Sequence, residues 1–134
     1  MFIDGITIVA ELPLEHLAMY NRYNRIGTLI NKGATCECCK QSVGHFAVVK
    51  RTKRGHNVFA IFTDDWVELT IDHIVAKANG GKDNPSNYQV LCRYCNLIKG
   101  CSEMTVEQLR KYIAKVYNSV VEFTKPIDIE IDLC

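Results

Sequence analysis

The 134 residues, 48% of them hydrophobic and 23% charged, amount to one domain and argue against wholesale disorder. No apolar run reaches the roughly 18 residues of a membrane span, and the opening MFIDGITIVA has Asp4 and no basic stretch, which argues against a secretory signal. The net charge of +1, from 16 basic and 15 acidic residues, is unevenly spread: zero over 1–35, +3 over 36–101 and −2 over 102–134.

Residues 2–9, rich in Ile, Val, Phe and Thr, predict a short strand. Pro13 suits a first helical position. Leu14, Leu17, Ala18, Ile26, Leu29 and Ile30 then give a broken helical stripe, which predicts a helix over about 13–31 ended by Gly33. Arg22 and Arg25 fall on its exposed side and read as solvated charge ahead of a DNA-facing role. The runs His45–Val49 and Val58–Phe62 predict a β-hairpin. Its tip, Lys50-Arg51-Thr52-Lys53-Arg54-Gly55, is the densest charge in the chain; it is a solvated loop or a phosphate contact. Glu68–Ile74 reads as a strand, Ala78–Ser86 as a long loop of turn formers, and Tyr88–Leu91 as a second short strand. Thr105-Val106-Glu107-Gln108 fits a capping box opening a helix over about 105–119. Ile127–Asp132 alternates strictly and reads as a charged edge strand.

Seven cysteines is an odd number, and in a chain without an export signal paired cysteines read as metal ligands. Cys36/Cys39 and Cys92/Cys95 are two C-x2-C pairs. Two such turns can present four thiolates to one tetrahedral Zn²⁺, a closed set and therefore a structural site. Cys38 is an alternative to Cys39, the x2 spacing favouring Cys39. Cys38, Cys101 and Cys134 then read as small buried hydrophobes. His16, His45 and His56 read as ordinary polar residues, and Trp66 with the six tyrosines as packing.

The run DHIVAKANGGKDNPSNYQVLCRYCNLIKG, together with the upstream Cys36/Cys39 pair, resembles the HNH endonuclease family and its zinc-bearing ββα-metal core. Asp-His, Gly-Gly, Asn, C-x2-C, Asn and Lys-Gly fall in the family's order. The chain resembles the zinc-knuckle type, with Asn96 at a third position where many members have His. The resemblance implies that Asp72 and Asn96 hold a catalytic divalent ion, and that Asn87 orients the loop beside His73. Hard oxygen donors tilt the ion towards Mg²⁺, with Mn²⁺ open. A histidine, whose ordinary pKa is roughly 6.5, is suited to take a proton from water, so His73 is the expected base. Neighbours on a strand point to opposite faces, so the strand must bend or end here if Asp72 and His73 serve one site.

The expectation is therefore an α+β chain, one domain over 1–134. A zinc-stapled ββα-metal core spans about 36–101, with an N-terminal strand and helix (1–35), a β-hairpin insert, and a C-terminal helix and strand (102–134). The function expected is metal-dependent hydrolysis of DNA phosphodiesters, nicking duplex DNA with low to modest sequence specificity. Lys50, Arg51, Lys53, Arg54 and Lys99 are the candidate phosphate contacts, Lys99 being equally open to pairing with an acidic neighbour, and a short helix from about Cys95 lies across the minor groove or backbone. The alternatives are a non-catalytic zinc-stabilised module binding nucleic acid or protein, and a nuclease for RNA or branched DNA. The partner is DNA, not a membrane; a homodimer is open, and the expected location is the cytoplasm, a host's if the chain is viral.

Overall fold

The computed structural model describes residues 2–123. Its order is β1 (Phe2–Ile3), β2 (Ile6–Leu12), α1 (Asn24–Asn31), β3 (Val43–Lys50), β4 (Asn57–Thr63), β5 (Leu69–His73), β6 (Tyr88–Cys92), α2 (Arg93–Lys99) and α3 (Val106–Phe123). Strands β1 to β4 form one antiparallel sheet in sequence order, and β5 pairs with β6 in a separate antiparallel ribbon. The fold is α+β, with four cysteines gathered beside the ribbon.

The N-terminal expectation of one strand needs correcting. Asp4 (φ +49°) and Gly5 (φ +80°) both lie in the left-handed region, so the chain turns back and Phe2–Ile3 pairs with Ile6–Thr7. Two positive φ values in succession are what a tight hairpin turn needs. The single helix over 13–31 also divides. Pro13 stands before a 3-10 run, Leu14–Tyr20, and α1 begins only at Asn24. Across the break Tyr20 and Tyr23 both pack on Phe59, with ring centroids 4.7 and 5.8 Å away. Gly27 permits the fold-back, since a Cβ there would lie 2.5 Å from the Asn21 carbonyl oxygen.

The hairpin β3–β4 alternates as a two-faced sheet should. Phe46 and Ile61 point to the main core with Leu29, Leu69, Val90, Leu91 and Leu109; Ala47, Val49, Ala60 and Phe62 fill a second cluster on the other face. Leu69 and Leu91 are fully buried, and trimming either to alanine would cost about 2–5 kcal/mol. The capping box forms as read: Thr105 N–H donates to Gln108 Oε1 (2.9 Å) and Gln108 N–H to Thr105 Oγ1 (3.2 Å). The edge strand expected at 127–132 and Cys134 lie outside the described residues.

Candidate metal centre and the hollow at the end of β5

Two identical turns build the sulfur cluster. Cys39 N–H donates to Cys36 Sγ at 3.4 Å, and Cys95 N–H donates to Cys92 Sγ at 3.5 Å. In the second turn Cys92 is also the N-cap of α2, so the knuckle and the helix start are one feature. Glu37 N–H ties the first turn to the Val90 carbonyl of β6 (2.9 Å), and Arg110 of α3 donates to the carbonyls of Glu37 and Cys38.

The sulfurs of Cys36, Cys39, Cys92 and Cys95 lie within 4.8 Å of one another, and it is Cys39 rather than Cys38 that joins the group. Sulfurs at 2.3 Å from a central ion would stand about 3.8 Å apart; Cys39 and Cys92 are separated by 3.8 Å. Thiols this close cannot all ionise without an ion between them. Hydrogen bonds from Cys92 and Cys95 hold the Cys36 thiol far below its ordinary range. Sharing a proton with Cys36 pushes Cys92 up to about 12 and Cys95 higher still. A dication would relieve that repulsion, so the donor set fits zinc. Cys38 is buried, and burial raises its thiol.

Strand β5 ends at His73, and the chain turns into the loop that Asn87 holds. Asn87 Oδ1 accepts from Val75 N–H (2.9 Å), and its Nδ2 donates to the carbonyls of Val75 and Lys82 (3.0 Å each). Ile74 N–H donates to the Asn87 carbonyl at 2.8 Å. Gly81 closes the loop: a Cβ there would overlap the Val75 carbonyl.

An open hollow of about 260 Å³ is lined by Asp72, His73, Lys77, Asn96 and Lys99 among others. Asp72 is buried, and its Oδ2 accepts from Lys99 Nζ and from Gln89 Nε2, both at 2.8 Å. Gln89 is its register partner on β6. Asn96, on the first turns of α2, donates through Nδ2 to Thr70 Oγ1 at 3.0 Å, one side-chain step along the same face of β5. Asp72 Oδ1 and Asn96 Oδ1 take part in none of these bonds. They are hard oxygen donors beside an open hollow, a set that fits Mg²⁺.

His73, at the end of β5, borders this hollow and also a second one on the other side of the strand. Its ring meets Tyr88 edge-on (5.1 Å) and its Nε2 lies 2.7 Å from Asp83 Oδ1. Bonds from Lys77 and His73 hold the Asp83 carboxyl below its ordinary range, so it is ionised and can only accept. Nε2 is therefore the donor, and in the neutral tautomer Nδ1 keeps the lone pair. Asp83 was not among the residues singled out from sequence. Nothing in DNPSN marks it, because its partner lies ten residues back across a loop.

Among the candidate phosphate contacts the structure draws distinctions. Lys53 and Arg54 are exposed at the hairpin tip, and Lys50 ends β3. Arg51 instead makes a two-pronged ion pair with buried Glu68 (2.8 and 2.7 Å). Lys99 is only 2% exposed and bonds Asp72 and the His73 carbonyl, so its ammonium is engaged inside the molecule rather than offered to phosphate. No helix among the described residues is long and apolar enough to cross a membrane.

No curated protein and no solved structure matches the chain. Residues 53–101, which hold the end of the hairpin tip, β4, β5, the Asn87 loop, β6 and α2, match the family model described as HNH endonuclease, and the match suggests a nuclease or nucleic-acid-binding function.

Proposed function

We propose that the chain is a metal-dependent endonuclease that hydrolyses DNA phosphodiesters, nicking duplex DNA with low to modest sequence specificity. One observation carries the reading: within the HNH match, Asp72, His73 and Asn96 line a single open hollow at a strand end. We read 36–101 as the catalytic core and 1–35 and 102–134 as its braces, one domain in all.

Asp72 Oδ1 and Asn96 Oδ1 would hold Mg²⁺, which when bound neutralises charge on the phosphate and polarises the ester. His73 Nδ1 takes the proton of the attacking water. Asp83, accepting from Nε2–H, fixes the tautomer that makes this possible and steadies the imidazolium that results. Asn87 carries no titratable proton, and its work is to hold the loop that bears Asp83. Four sulfurs holding Zn²⁺ keep β6 and α2 in register with the first knuckle. Lys53 and Arg54 add salt-sensitive affinity for the backbone.

A second reading has one observation in its favour. Lys99 already offsets the charge of Asp72, as it would in a zinc-stabilised module that binds nucleic acid without cutting it. Incubation of supercoiled plasmid, linear duplex, single-stranded DNA and RNA with Mg²⁺, with and without EDTA, separates the two. Nicking that disappears with EDTA and in His73→Ala is the expected result. Binding without cleavage under every divalent ion would leave the second reading standing.

A further inference from the structure

Two hollows on the other side of β5 share Asn24 and Arg25. One, of about 430 Å³, has Tyr23, Arg25, Arg51 and Phe59 in its walls. The other, of about 490 Å³, runs from Arg25 and Thr28 to His73 and Tyr88. Together they make one groove that begins at an aromatic wall and ends at the imidazole.

The charge in this groove is out of balance. Glu68 is buried and its two oxygens are both taken by Arg51. Arg25 is exposed, yet the protein around its base desolvates the guanidinium and pulls it below the ordinary arginine range, against the attraction of the same Glu68. Among the described residues no hydrogen bond or ion pair engages the Arg25 side chain. Two guanidiniums thus share one carboxylate, and the exposed Arg25 fork is left open to the groove. A phosphate would supply the missing charge and match the planar fork.

The wall beside Arg25 has the complementary chemistry. Tyr23 is 56% exposed, yet its ring is held by Tyr20 and Phe59, with centroids 5.3 and 5.8 Å away. A rigid, open aromatic face beside an unpaired cation is the pairing that tracks a nucleic-acid strand.

We propose that this groove is the subsite for the substrate strand beyond the cleaved bond: Arg25 binds a phosphate flanking the scissile one, and Tyr23 stacks on the neighbouring base. The proposal rests on the nuclease reading for its location but not for its test. The groove holds the strand on the Arg25 side of His73, opposite the Asp72–Lys99 pair.

The test is fluorescence anisotropy with a labelled single-stranded oligonucleotide and its duplex, on the His73→Ala chain without added Mg²⁺, from 50 to 200 mM KCl. One lost phosphate contact reduces the slope of log K against log salt by about 0.7 on single strands and about 0.9 on duplex. Arg25→Gln is expected to lose that slope and weaken binding about fivefold, whereas Arg25→Lys keeps the slope. Tyr23→Ala is expected to weaken single-strand binding about tenfold at unchanged slope, with Tyr23→Phe binding normally. An unchanged slope in Arg25→Gln overturns the proposal, as does Arg25→Lys failing alongside it. Nicking by the wild-type chain is scored separately. If it nicks while Arg25→Gln binds normally, the groove falls and the nuclease stands. If it does not nick but the slope changes as stated, the groove stands alone.

Discussion

The sulfur cluster and the hollow at the end of β5 are both donor sets, and they differ in completeness. Four sulfurs converge on one point, each turn supported by its own backbone N–H, and three of the four cysteines are buried. The oxygen set has only two members, and each already has half of its side chain engaged: Asp72 Oδ2 by Lys99 and Gln89, Asn96 Nδ2 by Thr70. A closed set binds its ion as part of folding and leaves no room for substrate. A half-engaged set keeps its geometry without the ion and leaves positions for water and phosphate. The contrast fits a structural role for the first and, on the proposed nuclease reading, a catalytic role for the second.

The sharpest way to break that contrast is Cys92→Ser. It removes one ligand and the sulfur that caps α2. One Zn²⁺ per chain is expected for the wild type by native mass spectrometry and none for the variant. The loss should unfold the chain, since a core this small needs its staple. A folded, zinc-free Cys92→Ser chain would show that the cluster is ornamental to the fold. Lowering the pH should act the same way, because protons compete with zinc for thiolates, so zinc retention falls as pH falls.

Next in size is Lys99→Met. The ammonium is almost wholly buried against Asp72, and removing one member of a buried pair leaves the other unpaired, at a cost of about 3–5 kcal/mol. The expected sharpening is ionic: Mg²⁺ should recover part of the lost melting temperature in Lys99→Met and little in the wild type, because the freed carboxylate becomes the stronger ligand. Equal response of the two chains to Mg²⁺ would sink the assignment of Asp72 as an ion-holding residue.

Asn87→Ala is expected to cost less stability, about 1–2 kcal/mol, because its three side-chain bonds lie in a partly exposed loop. Its effect on nicking should be larger, on the order of tenfold or more, since the loop carries Asp83 to His73. Faster amide exchange confined to Val75 and its neighbours, alongside slower nicking, is the signature. Exchange that rises across the core instead would make Asn87 a general stability residue.

What was legible in the sequence was local. The C-x2-C turns, the hairpin β3–β4, the strand that ends at His73 and the Thr105–Gln108 box all follow from spacing within a few residues. What escaped was set by partners far along the chain. Arg51 finds Glu68 17 residues away, so a basic residue that reads as surface charge becomes an internal tie, and Lys99, open in the sequence to phosphate or an acidic partner, finds Asp72 27 residues away. The break before α1 goes with the close approach of Gly27 to the Asn21 carbonyl, which the apolar stripe does not show. The first hairpin is different: Asp4-Gly5 is a turn signal available in the sequence, outweighed there by the apolar run around it.

The smallest expected effect belongs to Thr105→Ala, and it probes how far the sulfur cluster depends on its surroundings. The substitution removes one half of the reciprocal cap on α3, a loss of about 1 kcal/mol, or a fall of about 3–5 °C in melting temperature for a chain of this size. Nicking at 25 °C should be unchanged, since α3 lines none of the hollow around Asp72 and Asn96. Zinc is the discriminating readout. Arg110, one turn into α3, donates to the carbonyls of Glu37 and Cys38 within the first knuckle. If that brace sets the cluster's geometry, loosening the cap should weaken zinc retention in a chelator titration as well as stability. If the two knuckles hold the ion by themselves, as their own N–H to sulfur bonds indicate, the chelator midpoint stays where it was while the melting temperature falls. We expect the second outcome, because Arg110 bonds backbone carbonyls of the turn and none of the sulfurs.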